Sequence, residues 1–223
     1  LNINHVTRFF PSFGFVSLDV SAFYNYFTNR IIADFFKDSE KIYFENLNGF
    51  SINQGLSLNS EFNFESGLKI SMGCTYTDIY IIKKDDITGE KNRDTQALTP
   101  YLTGNGMVSY GFPKWDISID YTMNLISPMR LPILENDYRP EYSPWYSIQN
   151  IQVTKSWSGG WELYFGIKNL LNFIPKDPIL RPFDPFDKNI DVDNPNGYTF
   201  DPSYSYASLQ GLRGFVGVRW ELR

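Results

Sequence analysis

The hydrophobic period along most of this chain is two residues, not 3.6, which is the pattern of strands with one apolar and one polar face. Between residues 114 and 125 the odd positions are Trp115, Ile117, Ile119, Tyr121, Met123 and Leu125, and the even ones are Lys114, Asp116, Ser118, Asp120, Thr122 and Asn124. The same alternation places Val16, Leu18, Val20, Ala22, Tyr24 and Tyr26 on one face, and likewise Phe50, Ile52, Leu56, Leu58, Phe62 and Phe64. It continues through Leu68, Ile70, Met72, Cys74, Tyr76 and Tyr80, interrupted at Asp78, and recurs over 161–167 and 216–222. Less regular stretches at 97–111 and 145–157, with a weak one at 1–10, bring the expected number to nine strands. Most exceed the usual five or six residues of a soluble strand and suit the roughly 9 to 11 that cross a bilayer at a tilt.

The connections alternate in length. Short turns fall at 11–14, 65–67, 111–113 and 158–160, and long ones at about 29–49, 83–96, 126–144 and 172–208. Bacterial membrane barrels have short periplasmic turns and longer extracellular loops. The long connections are therefore expected outside the cell, with the last strand running inward to a periplasmic C-terminus. Aromatic residues crowd the short turns: Phe9, Phe10, Phe13 and Phe15 at the first, Phe62 and Phe64 at the second, Tyr110, Phe112 and Trp115 at the third, Trp157 and Trp161 at the fourth. Trp220 joins them from the last strand. Such a girdle marks the membrane interface.

Composition agrees and excludes other classes. Aromatic residues make up 17% of the 223, yet the mean hydropathy is −0.31. Lipid-facing rings alternating with polar lumen residues produce that combination. No run approaches the roughly 18 apolar residues of a transmembrane helix. The net charge of −5 argues against a nucleic-acid partner. The single cysteine, Cys74, excludes an internal disulfide framework. His5, the one histidine, has no acid or nucleophile beside it in sequence, so no catalysis is expected. The chain starts at Leu1 with no charged or apolar leader, and reads as a piece of something longer.

An odd number of strands cannot close as an antiparallel barrel, because the first and ninth run the same way. Open edges in hydrocarbon cost several kcal/mol per unpaired backbone group, so further strands are expected. The rival reading is a self-closed eight-stranded barrel, serving as a structural anchor or adhesion module, which must discard the weak first strand. The polar faces, rich in Ser, Asn, Thr and Gly, suit a wide lumen with other contents better than a small filled one.

The long loops carry two candidate sites. In 172–208 the carboxylates Asp184, Asp187, Asp191 and Asp193 offer hard oxygen ligands for calcium. The run from Asp191 opens like an EF-hand loop, but Pro195 takes its fifth position and Asn196 stands where glycine is required. Ten of the 13 prolines lie after position 127, in the last two long loops. Proline lowers the ordering cost of a loop. The rings in and beside those loops, Tyr138, Tyr142, Trp145, Phe183, Phe186, Tyr198, Phe200, Tyr204 and Tyr206, are expected to form contact surface for a ligand or a surface lipoprotein.

The run FGIKNLLNF at 165–173, a long Pro- and Asp-rich loop, and the closing GLRGFVGVRWELR together resemble the end of TonB-dependent outer-membrane receptors. AFYNYFTNRII, IYFENLNGFSINQGLSLNSEF and TPYLTGNGMVSYGF are similar to segments of the same family, in the branch importing cobalamin, iron chelates or glycans in gut-type Gram-negative bacteria. The resemblance implies an all-β antiparallel transmembrane barrel of roughly 22 strands, of which this chain would be the C-terminal nine. It also implies an upstream plug domain and a short box that contacts TonB, neither within residues 1–223. One departure is the closing Glu221, Leu222, Arg223, where the family usually ends on an aromatic residue.

Overall fold

A computed structural model describes residues 1–38, 41–84, 89–132, 139–176 and 205–221. The first strands are β1 (Asn2–Phe9), β2 (Gly14–Phe27), β3 (Ile31–Asp38), β4 (Lys41–Asn46), β5 (Gly49–Phe64) and β6 (Leu68–Lys84). They are followed by β7 (Lys91–Thr95), β8 (Leu102–Phe112), β9 (Ile117–Ile126), β10 (Tyr146–Ser156), β11 (Trp161–Lys168) and β12 (Arg213–Trp220). Among the described residues there is no helix. Nine strands pair in the order β1-β2-β5-β6-β8-β9-β10-β11-β12, every pair antiparallel. These are the nine expected from the alternation. The sheet is open, with β1 paired only to β2 and β12 only to β11.

Register carries the two-residue pattern across the sheet without a slip. One row runs His5, Val20, Leu58, Cys74, Gly104 and Leu125, each directly opposite the next. The neighbouring row on the other face runs Asn4, Ser21, Ser57, Thr75 and Thr103. Polar residues of that face bond to one another: the Asn4 amide donates to Ser21 Oγ and Asp19 Oδ1, both at 2.8 Å, and Ser57 and Thr75 hydroxyls lie 3.0 Å apart. The opposite face leaves Leu58 at 51%, Phe165 at 55% and Val218 at 61% exposed. So large an apolar surface is stable only against lipid or another apolar partner. Among the described residues buried apolar side chains are few and form no sandwich core.

The short-turn end is finished by stacked rings. Phe13 lies on Phe64 with centroids 5.5 Å apart, Phe112 on Trp115 at 5.7 Å and Trp161 on Trp220 at 5.6 Å. The third turn is one place where the boundary differs from the alternation. Residues 114–116 continue the pattern but belong to the turn, and β9 begins at Ile117. Pro113 lacks a donor, Asp116 adopts φ +47°, and the Trp115 N–H closes onto the Phe112 carbonyl at 3.0 Å. Similarly, the strand expected from residue 97 starts at Leu102, because Leu98 turns left-handed (φ +56°) and gives its N–H to the Arg130 carbonyl at 2.7 Å.

Two long connections hold strands of their own that the sequence reading treats as loop. The 29–49 connection folds into the β3–β4 hairpin, and β7 in the 83–96 connection adds to the upper part of β6. Two glycines serve the same purpose at opposite ends. Gly14 opens β2 at φ +145° and Gly49 opens β5 at φ +146°. A methyl group would strike the Asn63 carbonyl oxygen at the first and the Ile82 carbonyl oxygen at the second. On the polar face, rings lie over the glycine directly opposite. An ideal Cβ on Gly55 would sit 2.5 Å from Phe23 Cζ and one on Gly166 2.5 Å from Phe215 Cζ, while one on Gly217 would meet the Tyr164 ring.

Candidate ligand-binding face at the long-loop end

Beyond the sheet the long connections are bonded into one another. Asp34 of β3, almost buried, pairs with Lys83 of β6 at 2.6 Å, and Ile32, Leu47 and Ile81 pack together beside it. Arg93 of β7 donates to both carboxylate oxygens of Asp78, at 3.0 and 3.2 Å, with its guanidinium carbon 3.9 Å from the centre of the Tyr80 ring. The next residue, Asp94, pairs with Arg130 past the end of β9, and Arg130 also approaches Glu141 at 3.7 Å. Partly exposed pairs of this kind are worth about 0–1 kcal/mol each. Their consequence is geometric, since they link three successive connections.

The β9–β10 connection narrows by backbone bonds before it reaches β10. Ser127, fully buried, exchanges bonds with Leu102: its hydroxyl accepts the Leu102 N–H at 2.9 Å and its N–H donates to the Leu102 carbonyl at 2.9 Å. Ser143 repeats this with Met129, at 3.0 Å in each direction. Met129, Leu131 and Tyr146 then form a buried apolar cluster, joined by Ile126, Ile148, Phe173 and Tyr206. Ile126, Tyr146 and Ile148 stand on the polar-face parity of β9 and β10, which puts this cluster over that face.

The 165–173 run explains how the last connection reaches the same place. Asn169 (φ +55°) and Asn172 (φ +51°) both adopt the left-handed conformation that asparagine tolerates better than most residues. Asn169, 3% exposed, receives the Phe173 N–H on Oδ1 at 3.0 Å and donates to the Phe173 carbonyl at 2.8 Å. Asn172 Oδ1 accepts the Leu212 N–H at 2.8 Å, tying the two ends of the β11–β12 connection. Phe173 is thereby delivered onto Tyr146, stacked at 4.6 Å and 6°, while the Tyr146 hydroxyl donates to the Tyr206 carbonyl at 3.0 Å. Stacking of this kind is worth about 0.5–1.5 kcal/mol beyond area burial.

Between these two connections lies a cavity of about 520 Å³ whose described lining includes Arg139, Tyr142, Phe173, Lys176 and Tyr206. Of the expected contact rings the structure places Tyr142, half-exposed at the cavity rim, Tyr206, in its lining, and Trp145, half-exposed and edge-on to Tyr101 at 6.0 Å. Tyr138, Phe183, Phe186, Tyr198, Phe200 and Tyr204 lie outside the described residues, as do the four candidate calcium ligands Asp184, Asp187, Asp191 and Asp193. Arg139, Phe173 and Lys176 were missed from sequence. The left-handed asparagines were the available signal for Phe173. His5 stands on the apolar-face parity of β1, its Nε2 2.7 Å from Thr7 Oγ1. Among the described residues, no three His, Cys, Asp or Glu side chains are placed to share a metal ion.

A sequence profile described as TonB dependent receptor-like, beta-barrel matches residues 5–170. The chain belongs to that family. Its barrels are outer-membrane proteins of Gram-negative bacteria, so the apolar face is the lipid face and the polar one the lumen face. The family is one of receptors and transporters, not an enzyme class. A search of curated protein sequences gives no match. Among solved structures the chain is similar to the unliganded ferric citrate transporter FecA, with TM-score 0.62 and 14% identity over 97% of this chain and 30% of that one. It is similar also to the FrpB iron transporter of Neisseria meningitidis, F3-3 variant (TM-score 0.58, 11% identity, 98% and 30%). A third likeness is the siderophore receptor PiuA of Acinetobacter baumannii (TM-score 0.55, 16% identity, 77% and 24%). The chain thus spans less than a third of the length of these structures, and the likeness is one of fold.

Proposed function

We propose that the chain forms the C-terminal wall and part of the capture loops of an active importer. In this reading ligand binds at the long loops, a plug upstream of residue 1 is remodelled by TonB, and the solute passes through the lumen. The long-loop end faces outward, the short turns face the periplasm, and the chain finishes on the periplasmic side. The observation that carries the reading is the bonded set of long connections over the lumen face, which ends in a preformed cavity. Cavities of about 300–1,000 Å³ are the usual size for small-molecule sites. The solute is a scarce nutrient such as an iron chelate, cobalamin or a glycan. The similar structures, an iron transporter, a siderophore receptor and a ferric citrate transporter, support the first of these. A surface lipoprotein over the loops is compatible with the same geometry. The self-closed eight-stranded barrel is disfavoured because β1 pairs with β2 over all its eight residues and β12 meets only β11.

The reading is tested in cells carrying the full-length receptor. Uptake of labelled ferric chelates, cobalamin and oligosaccharides is measured with and without a protonophore. Receptor-dependent uptake of one of them, abolished by the protonophore, is the expected result. Accumulation that is the same without the receptor, or insensitive to the protonophore, overturns it.

A further inference from the structure

The lipid face carries a polar row toward its long-loop end. On the parity of that face Tyr24, Gln54 and Asp78 stand directly opposite one another on β2, β5 and β6, and the Gln54 amide donates to Asp78 Oδ2 at 3.0 Å. A charge on this face is costly at the middle of a bilayer and nearly free at its interface. At ~3.3 Å per residue and a tilt of about 40°, Gln54 lies about 25 Å above Phe64 of the short-turn girdle, which is the height of an apolar band. The row therefore marks the upper edge of that band. Rings gather there as they do at the lower edge: Tyr24, Tyr26 and Tyr76 are each about half exposed, and Tyr26 packs on Phe50 at 5.2 Å. Tyrosine favours this depth because its ring meets the acyl chains and its hydroxyl the headgroups.

Above the row the same parity turns cationic. Arg93 stands opposite Ile82 and reaches down to Asp78, with 59% of its side chain exposed. Both of its bonds to Asp78 use Nη2, which leaves Nη1 and Nε for another acceptor. Lys84 stands directly opposite Lys91; both are exposed, and neither has an ion-pair partner among the described residues. Like charges directly across a ladder repel each other. Three cations against one carboxylate leave this strip positive, and an anion relieves it. β7 pairs only with β6 and lies off the wall path, and it sets two of the three cations there. Just below them is a groove of about 340 Å³, lined by Tyr24, Gln54, Leu56, Tyr76 and Asp78 among others.

We propose that this strip holds the phosphorylated sugar headgroup of an outer-leaflet glycolipid against the outside of the wall. A phosphate lies on Lys84, Lys91 and Arg93, the sugar in the groove between Gln54 and the tyrosines, and the acyl chains run down past Leu56 and Leu58. Charge, hydrogen-bonding groups and apolar side chains follow one another along the strip in the order that such a lipid presents them. The strip is continuous with the face that already meets the membrane. Its meeting the outer leaflet rests on the outward long-loop end of the import reading.

The test uses the full-length receptor, delipidated in detergent, and native mass spectrometry. The probes are bis-phosphorylated lipid A, its dephosphorylated form and phosphatidylglycerol. Lipid A is expected to bind saturably, and the other two at least about tenfold more weakly. Lys84→Gln combined with Lys91→Gln is expected to weaken lipid A by roughly tenfold or more, since each cation near an anionic headgroup contributes a factor of about five. Both side chains are exposed, and heat-modified mobility on gels verifies folding. Unchanged lipid A affinity in that double variant, or phosphatidylglycerol binding as tightly as lipid A, overturns the proposal. A dimer in the same spectra that excludes lipid A overturns it in favour of contact between two copies. Orientation is read separately in intact cells, by labelling Asn92→Cys with a membrane-impermeant maleimide over the wild-type background. Labelling supports the outward long-loop end, and protection overturns that orientation and the outer-leaflet site with it. If uptake ignores the protonophore while lipid A binding follows the two lysines, the import reading alone falls.

Discussion

The two ends of this sheet solve different problems with similar parts. At the short-turn end, four tight turns are covered by rings that stack on each other across strands, as Phe13 does on Phe64 and Trp161 on Trp220. At the long-loop end, rings pack inward over the lumen face, ion pairs join successive connections, and a cavity results. At one end the rings stack along the girdle, and at the other they line a cavity. The difference teaches that ring density alone marks a boundary, while rings combined with buried polar bonding enclose a space.

The largest expected effect tests what separates the ends. Leu58→Arg, in the centre of the lipid face, should destabilise the folded barrel by about 2–4 kcal/mol, whereas Tyr26→Arg near the long-loop end of the same face should cost only about 0–1. Urea unfolding in lipid vesicles measures both, and equal costs would mean that the membrane does not lie where the girdles put it.

Next come the matched glycines. Gly14→Ala and Gly49→Ala should each cost about 1–3 kcal/mol, because the alanine must hold a left-handed backbone against a neighbouring carbonyl. Here the ends should behave alike, and a neutral Gly49→Ala would show that the long-loop end is looser than its bonding implies. The smallest effect separates them again. Lys83→Met removes the Asp34 pair and should cost about 1 kcal/mol or less, given its partial exposure. It should appear as faster proteolysis of the β3–β4 hairpin with the urea midpoint unchanged; a shifted midpoint would make the hairpin part of the wall.

How much of this was legible in the sequence follows from the range of each interaction. Strand alternation is local, so all nine wall strands could be read from runs such as Ile117 to Leu125. Exact ends were harder, because Pro113 and Asp116 stop a pattern that the side chains at 114–116 continue. Strands β3, β4 and β7 were not visible, since their partners, for β7 the upper half of β6, are chosen by loop closure and not by a two-faced pattern. The asparagines of 165–173 stood out as a family resemblance, yet their purpose, turning the chain to place Phe173 on Tyr146, depends on bonds to Leu212 and Gln210 some forty residues away. Arg139 gave no signal at all. Its place on the cavity wall depends on which residues lie beside it in space, and no local pattern encodes that.

The rings lying over glycines in β11 and β12 have a consequence for how those strands find each other. Gly166 opposes Phe215 and Tyr164 opposes Gly217, so each strand offers one bulge and one hollow in reversed order. Slipping the pairing by two residues, which keeps every side chain on its proper side, would set Tyr164 against Phe215 in one direction and leave Gly166 facing Gly217 in the other. The first mispairing is too thick and the second too thin. Only the native register sets each ring against a glycine, so the pairing of these two strands is specified by shape as well as by polarity.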